Sequence, residues 1–226
     1  GLMQILRSVS DQAGGPAGGK DKSDYLLRIP IDRVFTLPGM GTIVTGPLLY
    51  GAIHEEAEIE IYPSHKHGRV RQLQAYGKPV SHVEAPSRIA LNIKGIPREA
   101  IQRGEVIGYP GELRATQTVY AKLSFLRPVE GTDFILHAGT SRVGASIKPM
   151  RSAGLYYLKL SHPTVLLPGD RFILRRETTV GGGEVVDAFP VKKHLWIQKD
   201  RADVHTYLRS FFKEQPEQTF TDLRLK

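Results

Sequence analysis

The sequence predicts an all-β protein of two consecutive domains, followed by a short helical segment at the C-terminal end. Its 226 residues leave room for two domains of ordinary size. Short segments that are rich in β-branched residues, or that alternate between apolar and polar side chains, recur about every ten residues. The 23 glycines and 15 prolines supply many of the breaks between them. This pattern is typical of a β-barrel or a β-sandwich.

The strand-like segments fall into two series. The first series begins at Tyr25 and includes YLLRIPIDRVFTL, GTIVTGPLLYG, EIEIYP and RIALNI. The second begins near Thr116 and includes TVYAKLSFL, GLYYLKLS and TVLLPGDRFILRR. We therefore predict one β-domain over residues 25–113 and a second over residues 114–190.

The two ends of the chain have a different texture. Residues 1–24 begin with apolar residues at helical spacing and continue into DQAGGPAGGKDKSD, which indicates the end of a preceding domain and a flexible linker. In residues 191–226, Val204, Leu208 and Phe211 fall on one helical face. We therefore expect helical structure after the second β-domain.

Composition excludes several classes of function. The chain has no cysteine, so disulfides, thiolate metal sites and cysteine nucleophiles are all excluded. No apolar run is long enough to cross a bilayer, and the N-terminal residues lack a signal-peptide pattern, so we expect a cytoplasmic protein without membrane contact. The net charge of +8 favours a polyanionic partner such as nucleic acid, although the same charge can serve solubility alone.

Three motifs that could carry chemistry have simpler explanations. The stretch GGPAGGKD, residues 14–21, nearly matches a phosphate loop, but Asp21 stands where a hydroxyl residue should hold magnesium. The three glycines of residues 181–183 are flanked by strand-like segments, which favours a close strand crossing over an anion site. His65 and His67 lack a third nearby ligand. We therefore predict no metal site, no catalytic residues and no enzymatic activity for this chain.

Arg28, Asp32 and Arg33 form the most informative charged group. They lie in a strand-like segment in which Ile29 and Ile31 belong to the core. Two guanidinium groups and a carboxylate beside an apolar stripe can form an outward ion-pair face, which contributes little. They can equally form one wall of a pocket for an anionic group. The residues alone leave these two interpretations open.

Three segments carry a resemblance to a known family. RIPIDRVFTLPGMGTIVTG, residues 28–46, resembles the opening of the second domain of translational GTPases, and residues 96–111 resemble the closing strand of that barrel. LLPGDRFILRR followed by TVGGGEVVD resembles the end of the third domain. Within this superfamily PIDRVFT, LHAGT at 136–140 and TVGGGEVVDAFP at 179–190 resemble the selenocysteine-specific elongation factors.

The resemblance implies two β-barrels of the translation-factor type that bind an aminoacyl-tRNA. The family delivers selenocysteinyl-tRNA to the ribosome in a GTP-dependent way. GTP and magnesium would belong to a GTPase domain that this chain does not contain, so no cofactor is expected here. Residues 191–226 would begin the winged-helix region, which in this family binds a hairpin of the messenger RNA.

The resemblance also implies functions for individual residues. Asp32, Arg33 and Arg88 correspond to one wall of the cleft that holds the amino acid. A selenol is an anion at neutral pH whereas a serine side chain is neutral, so two guanidinium groups would favour selenocysteine. Arg88 could also simply pair with Glu84 or Asp32.

Further basic residues would contact the tRNA itself. Arg103 corresponds to the position that contacts the 5′ end of the tRNA, and charge and location suggest Arg142, Lys148 and Arg151 for the acceptor and T stems.

The sequence departs from the family pattern at Pro47, which follows VTG where a small polar residue is usual. Because proline has no N–H to donate, we expect the strand to end, or to lie at an edge, at this residue. Two alternatives to the main interpretation remain open. The chain could contain the equivalent barrels of another translational GTPase, such as an initiation factor, or it could be an interaction scaffold without tRNA binding.

Overall fold

The computed structural model describes residues 26–150 and 154–190. The predicted N-terminal segment 1–24, the predicted helical segment 191–226 and Arg151 lie outside the described residues. Within these residues the protein is built almost entirely of antiparallel strands, with one 3-10 turn at Arg98–Ala100. The predicted all-β fold of two consecutive barrels is confirmed, and the domain boundaries given above stay predictions.

The first domain is a strongly curled sheet with a small separate ribbon. Its strands are β1 (Ile29–Pro30), β2 (Arg33–Leu37), β3 (Gly41–Leu48), β4 (Ala52–His54), β5 (Glu58–Tyr62), β6 (Lys66–Ala75), β7 (Lys78–Pro79), β8 (His82–Glu84), β9 (Ser87–Lys94) and β10 (Val106–Gly108). The main sheet has the order β1-β10-β5-β6-β9-β3-β2, with β7 paired to β6, while β4 and β8 pair with each other. β2 therefore forms one edge of this sheet.

Alternation along the strands separates the core from the outer face. In β5, Ile59 and Ile61 are fully buried and pack with Leu73 and Leu91 from β6 and β9. In β3, Val44 faces this core, and a Cβ atom added to Gly46 would lie 2.1 Å from the carbonyl oxygen of Pro30. Only glycine therefore lets β3 cross β1 this closely.

Pro47 does not end its strand. β3 continues to Leu48, and Pro47 pairs with Arg88 of β9. On its other side β3 pairs with β2 no further than Thr45. Pro47 thus lies beyond the end of β2, where no ladder requires the N–H that proline lacks.

The second domain is a closed barrel. Its strands are β11 (Thr116–Phe125), β12 (Asp133–Ala138), β13 (Ser141–Pro149), β14 (Leu155–Thr164), β15 (Arg171–Arg175) and β16 (Thr179–Asp187), in the order β11-β14-β13-β12-β15-β16. Gly181, Gly182 and Gly183 lie in β16. An added Cβ atom at Gly183 would lie 2.1 Å from the carbonyl oxygen of Lys122. This glycine cluster serves close strand packing.

The two barrels pack directly against each other. Tyr62 and Val106 of the first barrel form a buried cluster with Leu113 and Val165. A hydrogen-bonded carboxylate supports this cluster, because Tyr62 Oη lies 2.5 Å from Glu60 Oε2. Burial raises the pKa of Glu60, but the hydrogen bonds from Tyr62, from the N–H of residue 111 and from His65 outweigh it and lower the pKa to about 2. Glu60 is therefore a charged residue of the core boundary.

Candidate functional site

An acid and two arginines meet at one end of the first barrel. Asp32 lies just before β2, Arg88 is in β9, and Arg103 lies in the turn that precedes β10. Arg88 Nη2 donates to Asp32 Oδ2 at 2.6 Å, and Arg103 Nη2 lies 3.9 Å from Asp32 Oδ1. We call Asp32, Arg88 and Arg103 the acid–arginine cluster. Three segments that are distant in sequence thus converge on one carboxylate.

The carboxylate of the cluster is held in its charged form. The hydrogen bond from Arg88, followed by the charges of Arg88, Arg103 and Arg33, lowers the pKa of Asp32 against the opposing effect of burial. The Asp32 side chain is 22% exposed whereas that of Arg88 is 56% exposed, so the guanidinium is accessible to a ligand. Because exposed ion pairs contribute about 0–1 kcal/mol, this pair orients the groups more than it stabilises the fold.

Arg33 and Arg88 lie on the same face of the sheet. Arg33 pairs with Thr45, Thr45 pairs with Ala90, and Pro47 pairs with Arg88. Directly paired residues share a face, as do residues two apart in a strand. The arginines are thus two strands, roughly 10 Å, apart across small side chains. Within residues 26–150 and 154–190, the Arg33 side chain has no hydrogen bond and no ion pair.

Sequence reasoning missed Thr45 as part of this surface. Its Oγ1 atom is buried and has no hydrogen-bond partner among the described residues. Thr45 lies between Arg33 and Ala90 in the same row of the sheet. A threonine in a strand carries no sequence signal for such a position, because the pairing that puts it there is long-range.

Arg28 does not belong to the same surface as Asp32 and Arg33. Its guanidinium makes two hydrogen bonds of 2.7 Å to the carboxylate of Asp170 in the second barrel. The interpretation that grouped Arg28 with the wall of an anion pocket is therefore wrong. Of the two ion-pair partners suggested for Arg88, the structure shows Asp32 and not Glu84, which contacts His82.

The basic residues predicted on the second barrel lie at opposite ends of β13. Arg142 follows the β12–β13 turn and Lys148 comes six residues later, roughly 20 Å along the strand, with both exposed. The start of β13, just before Arg142, contacts the first barrel beside Arg103, because a Cβ atom on Gly104 would lie 3.1 Å from Ser141 Cα. The structure therefore brings the end of β13 that carries Arg142, and not the end that carries Lys148, close to Gly104.

Other candidate sites are less complete. In the part of the chain that the structure describes, no group of three histidine, cysteine or acidic side chains could hold a metal ion. His65 instead contacts Glu60, with 2.6 Å between Nδ1 and Oε1. A surface cavity of about 960 Å³ lies elsewhere on the first barrel, beside Arg69 and Lys94, and is not lined by the cluster. Among the described residues, no helix has the length and hydropathy needed to span a membrane.

Comparison with known proteins gives two adjacent family matches. Residues 41–108 match the family described as elongation factor Tu domain 2. Residues 116–192 match the family described as selenocysteine-specific elongation factor, beta-barrel domain. Asp32 and Arg33 lie just before the first match, whereas Arg88, Arg103 and Arg142 lie inside the matched regions.

Individual relatives agree with these matches. The selenocysteine-specific elongation factor of Desulfomicrobium baculatum is 31% identical over 192 residues, which are 77% of this chain and 30% of that protein. Elongation factor Tu 2 of Streptomyces avermitilis is 28% identical over 151 residues, which are 65% of this chain and 37% of that protein. The chain thus spans about a third of the length of these relatives.

The fold is similar to that of a solved structure. The crystal structure of a bacterial selenocysteine-specific elongation factor, EF-Sec, superposes with a TM-score of 0.76 over 95% of this chain and 36% of that one, at 22% identity. At this identity the likeness bears on the fold, and it agrees with the two barrels described above.

Proposed function

We propose, from the premise that the chain carries an elongation factor Tu domain 2 followed by the β-barrel domain of selenocysteine-specific elongation factors, that it is the aminoacyl-tRNA-binding part of such a factor. In this proposal the longer protein delivers selenocysteinyl-tRNA to the ribosome in the cytoplasm. GTP and magnesium bind in a separate GTPase domain, and a messenger RNA hairpin is bound by a winged-helix region that follows residue 190.

The observation that supports this proposal most is the position of two arginines on one sheet face, with a carboxylate beside them. Within residues 26–150 and 154–190 the Arg33 side chain has no ion pair. The Arg88 side chain forms an ion pair with Asp32 and is more than half exposed. A selenolate placed between them gains charge-assisted hydrogen bonds from both guanidinium groups. A neutral serine hydroxyl displaces water from the same arginines without supplying a charge, so it gains less.

Asp32 has a positioning role in this proposal. It accepts a hydrogen bond from Arg88, so it sets where that guanidinium points, and it attracts Arg103 from 3.9 Å. The carboxylate also limits the net positive charge of the site. An anion that approaches Arg88 from the exposed side shares the guanidinium with Asp32 instead of replacing it, because one guanidinium has five N–H donors.

The tRNA itself is bound by a path of basic residues across both barrels. Arg103 contacts the 5′ end of the tRNA, while Arg142 and Lys148, together with Arg151, contact the acceptor and T stems. The contact between Gly104 and Ser141 supports this path, because it makes the surfaces around Arg103 and Arg142 continuous. Phosphate contacts of this kind fix register and carry no selection for the amino acid.

The test is equilibrium binding of selenocysteinyl-tRNA and of its seryl-tRNA precursor. Binding is measured for the 226-residue chain and for a longer protein that includes a GTPase domain with bound GTP. We expect the longer protein to prefer the selenocysteinyl form by roughly 10–100-fold, the value of one or two charge-assisted hydrogen bonds. Equal affinity for the two forms would instead indicate barrels of a general translation factor, and no binding of either form would contradict the proposal.

A further inference from the structure

A buried ion pair joins the two barrels through Arg28, four residues before Asp32 in the sequence. Arg28 Nη1 and Nη2 donate to Asp170 Oδ1 and Oδ2, each at 2.7 Å. The side chains are only 8% and 16% exposed. Asp170 Oδ2 also accepts a hydrogen bond of 2.9 Å from the backbone N–H of Leu167. The residues are 142 positions apart in sequence, so the pair exists only when the barrels are docked.

This pair is poorly explained as a source of stability. The removal of two charges from water costs several kcal/mol per ion, and a buried pair often contributes no more than apolar side chains of similar volume would. Arg28 Nε is in addition buried without a partner among the described residues. A bidentate guanidinium–carboxylate contact does supply a fixed geometry, since both groups are planar and meet in one orientation.

The backbone transmits that geometry to the cluster. Arg28 is four residues before Asp32, and backbone N–H groups along this segment are hydrogen-bonded within the first barrel. The N–H of Arg28 bonds to the carbonyl of Tyr50 at 3.1 Å, that of Ile31 to Glu105 at 2.8 Å, and that of Asp32 to Thr45 at 2.8 Å. A displacement of Arg28 relative to the second barrel therefore moves Asp32 with it.

The β12–β13 turn of the second barrel, which precedes Arg142, contacts this same segment. A Cβ atom added to Gly139 would lie 3.8 Å from the ring of Pro30, and one added to Gly104 would lie 3.1 Å from Ser141 Cα. The N–H of Gly104 in turn bonds to the carbonyl of Ile31 at 3.0 Å. The residues beside Asp32 and Arg103 are thus packed against the β12–β13 turn.

We propose that Arg28 is a positioning residue whose ion pair with Asp170 fixes the distance between the acid–arginine cluster and Arg142 on the second barrel. The inference rests on the proposed function, in which the cluster binds the aminoacyl end of a tRNA and the second barrel binds its stem. With the distance fixed, a ligand that contacts one barrel is already aligned with the other. The stem contacts then act at a high effective concentration.

The test compares a long and a short ligand on variants of the ion pair. The ligands are full-length selenocysteinyl-tRNA and a fragment that carries the same aminoacylated end but only the first base pairs of the acceptor stem. We expect Arg28→Met to weaken binding of the full-length tRNA about tenfold and binding of the fragment less than about twofold. Asp170→Asn, which keeps an oxygen for the N–H of Leu167, should behave in the same way.

Arg69→Met is the matched control, because Arg69 pairs with Glu58 at 3.1 Å on the exposed surface of the first barrel. It should change neither affinity. Equal losses for both ligands with Arg28→Met would mean that the pair only supports folding. Unchanged affinity for both would mean that other contacts set the distance. Either result overturns the inference.

Residual dipolar couplings provide a readout that needs no tRNA. Backbone couplings from the two barrels should fit one common alignment tensor in the unmodified protein and two different tensors in Arg28→Met, with the core amides of each barrel unchanged. A single common tensor in the variant would contradict the positioning role even if the protein bound no tRNA. Failure of the proposed function and failure of this inference are therefore separate results.

Discussion

The two barrels present basic residues in different ways. On the first barrel, a hydrogen bond of 2.6 Å to Asp32 gives the Arg88 guanidinium a set position. Arg103 lies 3.9 Å from Asp32, beyond hydrogen-bond distance. On the second barrel, Arg142 and Lys148 are exposed and have no ion pair within the part of the chain that the structure describes. Oriented charges can discriminate between ligands, whereas unrestrained charges bind any phosphate nearby. We propose on this ground that the first barrel selects the amino acid and that the second binds the tRNA stem.

The construction of the barrels explains where an oriented cluster can form. The second barrel is a closed ring of six strands in which each strand has two neighbours. The first is an open, curled sheet whose edge strand β2 starts beside the last residues of β3, and the loop before it delivers Asp32. An open edge leaves room for side chains from three segments to converge, which a closed ladder does not.

The largest expected effect comes from glycines that allow close strand crossing, one in each barrel. Gly46→Ala would put Cβ 2.1 Å from the carbonyl oxygen of Pro30, and Gly183→Ala would put it 2.1 Å from that of Lys122. Since backbone atoms must move in both cases, each change should lower the free energy of unfolding by about 3 kcal/mol or more. Chemical denaturation measures the loss.

A third glycine provides the control. Gly144→Ala meets only Oγ and Cβ of Ser161, at 3.2 and 3.3 Å, and should cost less than about 1 kcal/mol because a shift of a few tenths of an ångström relieves the contact. Equal costs for all three substitutions would show that the crossings are not the cause. Gly46→Ala should also weaken tRNA binding, because Pro30 leads into Asp32. Gly183→Ala should lower the stability without this additional loss.

An intermediate effect is expected from two carboxyl groups, those of Glu60 and Asp187, whose pKa values are shifted in opposite directions. Glu60, with a pKa of about 2 against an ordinary 4.5, adds stability that is complete above pH 4.5 and lost as the pH falls towards 2. Burial raises the pKa of Asp187 in the second barrel despite the hydrogen bond from Phe189 N–H. The folded state therefore holds that proton more tightly, and acid adds stability through this group.

Substitution of each acid by its amide tests this difference. Glu60→Gln should lower the free energy of unfolding by about 1–3 kcal/mol at pH 7, because Glu60 accepts hydrogen bonds from Tyr62 and Gly111, and the loss should shrink towards pH 3. Asp187→Asn should not destabilise the protein at pH 7 through charge. Thermal unfolding from pH 7 to pH 3 gives both slopes, and an unchanged slope for Glu60→Gln would contradict the low pKa.

The smallest expected effect concerns the stem surface. Arg142→Ala should weaken tRNA binding only about two- to fourfold, and it should reduce the slope of log affinity against log salt concentration by about 1, the value for one phosphate contact. Titrations at three salt concentrations measure the slope. An unchanged slope would remove Arg142 from the tRNA path.

Sequence predicted the repeating strands well, because alternation and turn residues are local signals. The resemblance of the first domain to translation factors also pointed to Asp32, Arg88 and Arg103, which the structure brings together. It could not reveal that Arg28, four residues before Asp32, pairs with Asp170 in the other barrel, since nothing in the local sequence marks a partner 142 residues away. The unpaired hydroxyl of Thr45 depends on strand register in the same way.

The most direct test of the division between the barrels is a ratio of affinities. Dissociation constants for seryl-tRNA and selenocysteinyl-tRNA are measured for the unmodified factor with GTP, for Arg88→Ala and for Arg142→Ala. We predict that the ratio falls about tenfold in Arg88→Ala, because one of the two guanidinium groups is lost while Arg33 remains. In Arg142→Ala the ratio should keep its original value while both affinities weaken equally. A preference for selenocysteine that is undiminished in Arg88→Ala, or that falls in Arg142→Ala, would contradict the account.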